Sequence, residues 1–125
     1  MSGTVIAIVD DMFFASKIRS TAEALGVNVS FSRSKEAVIE KLAQTQPNLI
    51  LVDLHNQKLD ALELAKEIKA QAPAVTLLGF FSHVEVELQR NALSAGFDQV
   101  IPRSIFARNL AQILTTKNRS TKSSD

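Results

Sequence analysis

The stretch Asn48-Leu49-Ile50-Leu51-Val52-Asp53-Leu54-His55 decides the fold. Four consecutive apolar residues run straight into a carboxylate. An apolar run without alternation reads as a strand buried on both faces, the habit of a parallel sheet covered by helices. In such sheets ligands bind beyond the carboxyl ends of the strands, so Asp53 ends its strand where a site is expected. An earlier run, Val5-Ile6-Ala7-Ile8-Val9, ends in Asp10-Asp11 in the same way. Two buried strands thus deliver three carboxylates to one sheet edge.

The segments on either side complete the pattern. Asp11 is placed to cap a helix that ends near Gly26, with Phe14, Ile18, Ala22 and Leu25 on one face. Val27, Val29 and Phe31 alternate with polar residues, as in a half-covered edge strand. Ser34 can cap a second helix, with Val38 and Leu42 inward and Pro47 after its exit. Beyond the polar loop His55 to Leu59, Asp60-Ala61-Leu62-Glu63 has the spacing of a capping box. That helix buries Leu64 and Ile68 and stops before Pro73. Val75 to Phe81 is the fourth strand, and Val84 to Ala95 a helix closed by Gly96. Gln99 to Ile101 is a short fifth strand, and Ser104 caps a last helix carrying Phe106, Leu110, Ile113 and Leu114. Five strand–helix units with short crossovers imply an α/β fold with one doubly wound parallel sheet.

The 125 residues suffice for one domain, taken as residues 1–114, and its core. The segment 115–125 is apolar-free and rich in Ser, Thr and Lys, the composition of a disordered tail. A net charge of +1 supplies no strong field for nucleic acid or an anionic membrane. Absence of cysteine removes disulfides, thiolate metal sites and thiol nucleophiles. No apolar run approaches the roughly 20 residues of a membrane span, and a cytoplasmic location is the plain expectation.

Three carboxylates brought together repel one another unless a cation joins them. A hard divalent ion such as Mg²⁺, or Mn²⁺ in its place, takes oxygen ligands of this kind. A carboxylate beside such an ion can attack phosphorus and become an aspartyl-phosphate. The bland alternative makes Asp11 a helix cap, Asp10 a strand end and Asp53 a turn residue.

Ile8-Val9-Asp10-Asp11, then Leu51-Val52-Asp53, then Asp60-Ala61-Leu62-Glu63-Leu64 resembles the CheY-like receiver domain of bacterial two-component response regulators. The resemblance runs from Thr4 to about Leu114. It implies a flavodoxin-like fold of strand order 2-1-3-4-5 and makes Asp53 the phosphoacceptor, fed by a histidine kinase or phosphotransfer protein. It implies Mg²⁺ at Asp10, Asp11 and Asp53, with Asp11 binding directly, Asp10 through water, and His55 lending its backbone carbonyl. It also implies output through altered binding of a downstream target protein on the face of the fourth helix, fifth strand and last helix. The sequence carries no decisive pattern for a homodimer on that face. Such a domain is a signalling acceptor rather than an enzyme, and the expected form is stand-alone.

The second half of the site departs from the family pattern. Where receivers end the fourth strand in Thr or Ser, this chain has Phe80-Phe81-Ser82-His83, and Ser82 is the expected hydroxyl. The fifth strand's Lys-Pro becomes Pro102-Arg103-Ser104, so Arg103 is the expected phosphate cation, and Val100 replaces the aromatic switch residue. An Arg fork is not a copy of a compact ammonium. Met12 and Phe13 fall off the core stripe at the pocket mouth. They are expected to pack over the first helical turn, with a docking patch as the alternative. His83 reads as a surface loop residue. A pseudo-receiver that binds partners without phosphorylation is the main rival, and a hydrolase with an aspartate nucleophile the weaker one.

Overall fold

Leu49–Asp53 forms the central strand, and its neighbours follow from its being apolar on both faces. The computed structural model describes residues 4–55, 60–82 and 85–115. In chain order the elements are β1 (Thr4–Ile8), α1 (Met12–Leu25), β2 (Asn28–Phe31), α2 (Lys35–Thr45), β3 (Leu49–Asp53) and α3 (Ala61–Gln71). They continue with β4 (Thr76–Phe81), α4 (Val86–Ala95), β5 (Gln99–Pro102), α5 (Arg103–Arg108) and α6 (Leu110–Leu114). The strands pair in parallel in the order β2-β1-β3-β4-β5, as expected from the sequence.

Side chains alternate between the faces of a strand, and here each face meets helices. Ile6, Ile8, Ile50, Val52 and Leu77 pack under α2, α3 and α4 through Val38, Leu42, Leu64, Ile68 and Ala92. Val5, Ala7, Leu49, Leu51 and Leu78 pack against α1, α5 and α6 through Phe14, Ile18, Phe106 and Leu110. Burial of both sets explains the absence of polar alternation in β1 and β3. Asp53 has the parity of Leu49 and Leu51, which puts it on the α1 side at the strand's carboxyl end. Leu54 turns to the other face, where Gly79 makes room: a Cβ there would lie 3.1 Å from Leu54 side-chain atoms.

Caps set the helix starts. Asp11, Ser34 and Asp60 accept from the amides of Phe14, Ala37 and Glu63 at 3.1 Å each. Gly26, at φ 72°, closes α1 in the left-handed region. Three details depart from expectation. Leu25 is 41% exposed because Val27, whose amide bonds to Ala22, fills the core position after the turn. Ser104 does not cap the last helix: α5 begins at Arg103, and Pro102 precedes it without a side-chain cap bond. That helix is also divided at Asn109 (φ −104°, ψ 19°), a residue type whose side chain competes for backbone partners. The expected start at Val84, the loop His83, part of the loop 56–59 and the tail beyond Thr115 lie outside the described residues. No helix among the described residues is long and apolar enough to cross a membrane.

Candidate functional site

The strand order reverses between β1 and β3, so the crevice of this sheet lies beyond their carboxyl ends. Asp10 and Asp11 follow β1, Asp53 ends β3, Ser82 follows β4, and Arg103 follows β5. The residues named from the sequence therefore share one edge. Their side chains are engaged in a more specific way than a loose acidic cluster.

Asp11 is held by two partners. Its Oδ1 accepts from the Phe14 amide at 3.1 Å, which caps α1, and its Oδ2 meets Arg103 Nη2 at 2.5 Å. The guanidinium carbon of Arg103 lies 4.3 Å from the centroid of the Phe14 ring, a cation–π arrangement. Phe14 is in turn fixed by Phe80 and Phe106, at centroid distances of 5.2 and 5.3 Å. The Arg103 hydrogen bond, then the Phe14 amide, hold the Asp11 carboxyl below its ordinary value of 3.8.

A depressed carboxylate pKa stabilises the fold above the unfolded-state value, and that contribution is lost as pH falls through the folded value. Asn also caps helices well, so Asp11→Asn isolates the charge pair. In metal-free buffer we expect Asp11→Asn to be less stable than wild type at pH 7. Urea titrations should show the gap closing as pH falls below about 4. A gap independent of pH would show that the ion pair does not contribute.

Asp53 is half-buried, and its Oδ1 accepts from the His55 amide at 3.0 Å. The Leu54 amide donates to Phe80 O at 3.0 Å, which extends the β3–β4 pairing past the carboxylate. His55 Nδ1 lies 3.7 Å from Glu85 Oε2, linking the turn after β3 to the start of α4. Asp10 is exposed. At the end of β4, Phe81 is buried in the core while Ser82 is exposed, so Ser82 is the hydroxyl this edge presents.

Arg103, the expected phosphate cation, lies over the Phe14 ring and is paired with Asp11. The donors Asp10, Asp11, Asp53 and the His55 carbonyl are oxygens of the type Mg²⁺ takes. No group of three or more His, Cys, Asp or Glu side chains among the described residues is arranged to hold a metal ion. Both oxygens of Asp11 are engaged, one by a helix amide and the other by a guanidinium. Met12 and Phe13, expected to pack over the first turn, are instead 81% and 91% exposed. The Phe14 platform went unread in the sequence, where helical spacing marks it only as core.

Comparison with known proteins decides the family. Residues 5–115 match the model of the response regulator receiver domain. This chain belongs to that family. Among curated relatives, the response regulator protein VraR of Staphylococcus aureus is 32% identical over 101 residues. That match takes in 81% of this chain and 46% of the relative, so the receiver spans about half the length of such proteins. Solved structures share the fold. A CheY-like receiver domain protein from Methanospirillum hungatei superposes with a TM-score of 0.79 at 19% identity, over 90% of each chain. A response regulator from Thermotoga maritima gives 0.76 at 18%, covering 93% of this receiver and all of that chain. The receiver domain of a sensor histidine kinase from Pseudomonas aeruginosa gives 0.77 at 18%, over 91% and 95%, and holds magnesium in its active site cleft.

Proposed function

We propose that this receiver accepts a phosphoryl group on Asp53 from a phosphohistidine of a histidine kinase or phosphotransfer protein. The supporting observation is the Asp53 carboxylate, which ends the central strand at the switch point of the sheet. An Asp53 oxygen attacks phosphorus, the phosphorus–nitrogen bond breaks, and an acyl phosphate forms. The departing imidazole nitrogen keeps the bonding pair and takes up a proton. Ser82 and Arg103, which follow β4 and β5 at the same sheet edge, serve as donors to the new phosphoryl oxygens. Arg103 must leave Asp11 to serve there. The output is altered binding of a downstream protein.

Incubation with acetyl phosphate and Mg²⁺, followed by intact mass measurement, tests this reading. Mg²⁺ is supplied because Asp10, Asp11, Asp53 and the His55 carbonyl are hard oxygen donors. Wild type should gain one phosphoryl group and Asp53→Asn none. No gain in wild type would instead favour a receiver that binds partners without phosphorylation, a reading to which the Arg103–Asp11 pair lends weight.

A further inference from the structure

We infer that Arg103 is a built-in cation that competes with a divalent metal ion for Asp11. Three observations carry this. Arg103 binds the very oxygen of Asp11 that the helix cap leaves over, since Oδ1 is turned to the Phe14 amide and Oδ2 to the guanidinium. The guanidinium lies over the Phe14 ring, its carbon 4.3 Å from the centroid, and that ring packs against Phe80 and Phe106, themselves stacked at 4.6 Å and 11°. Finally, no three acidic or histidine side chains among the described residues converge on a metal position.

The geometry is economical. Asp11 caps α1 and Phe14 stands three residues later in its first turn, so the amide that orients the carboxylate belongs to the residue that supplies the ring. A planar, permanently charged fork suits both surfaces at once, and a compact ammonium would match the stack less well. The Arg103 charge offsets part of the cost of placing Asp11 at an edge shared with other carboxylates. A metal ion that takes Asp11 must displace Arg103, so the two equilibria oppose each other by the same factor. Displaced Arg103 is then available to a phosphoryl oxygen, which couples metal entry to the donor set of the acceptor site. The inference deepens the phosphoacceptor reading but concerns metal affinity, which is measured apart from phosphorylation.

Mn²⁺ binding, followed by the electron paramagnetic resonance of the free ion, is the test. Arg103→Ala and Arg103→Gln should each bind Mn²⁺ about tenfold more tightly than wild type, within the usual range of coupling between two ligands. Arg103→Lys should fall between, because it keeps the charge without the fork. Asp11→Asn added to Arg103→Gln should abolish the gain, and removal of the exposed cation Lys17 by Lys17→Ala should leave affinity unchanged. In wild type, Mn²⁺-free and Mg²⁺-loaded samples should differ in the NMR signal of the Arg103 side chain. Should Arg103→Ala fail to fold, Arg103→Gln keeps most of the stem and decides. Folded Arg103 variants that bind Mn²⁺ no better than wild type would overturn the inference. An equal gain from Lys17→Ala would do so too, since general charge would then suffice. Tighter Mn²⁺ binding without phosphoryl uptake on Asp53 would uphold the competition and defeat the phosphoacceptor reading.

Discussion

Phe106→Ala should lower the free energy of unfolding by about 3–5 kcal/mol, the usual cost of removing a buried phenyl ring. The residue is 0% exposed, stacked on Phe80 and tilted against Phe14. It anchors the short α5 to the sheet face shared by α1. Its loss leaves a cavity bounded by two rings that cannot both close on it, because Phe80 belongs to β4 and Phe14 to α1. Urea unfolding followed by circular dichroism measures the change. The same substitution should free the Phe14 ring and therefore loosen Arg103, so the NMR signal of the Arg103 side chain should broaden or move. A loss under 1 kcal/mol would show that the three rings are not one packed unit.

Asp98→Ala should cost about 2–4 kcal/mol, because it strips a mostly buried network of its acceptor. Asp98 Oδ2 accepts from the Leu77 amide at 2.7 Å and from Lys69 Nζ at 2.9 Å, while Lys69 also donates to Val75 O at 2.7 Å. The side chains are only 13% and 18% exposed, so water replaces these bonds poorly. One carboxylate thus ties the end of α3 and the beginnings of β4 and β5 together. Asp98→Asn keeps an acceptor for the Leu77 amide and should lose less. Equal losses for Ala and Asn would mean that the charge on Lys69, rather than the strand amide, accounts for the effect.

Most of the fold is legible along the chain because it rests on local chemistry. Leu49 to Val52 and Val5 to Ile8 are apolar at every position, and only strands covered on both faces require that. Asp11, Ser34 and Asp60 cap their helices from three residues away, a distance that sequence spacing displays directly. The placement of Asp53 at a strand end also follows, since the apolar run stops there. The division of the last helix was not legible. Its apolar spacing passes through Asn109 without interruption, and Ser104 imitates a cap that Pro102 and Arg103 pre-empt.

The candidate site divides along the same line. Local sequence established which residues reach the sheet edge, because strand ends and helix starts are set by neighbours in the chain. Side-chain partnership was settled by packing. Asp11 and Arg103 are 92 positions apart, and nothing in either segment announces the other. They meet because β5 lies on the β4 side of the sheet and α5 returns over the α1 face, where Phe14, Phe80 and Phe106 close into one aromatic cluster. That cluster sets the Phe14 ring under the Arg103 guanidinium beside the first turn of α1. The cation–π contact with Phe14 and the ion pair then place an arginine against Asp11.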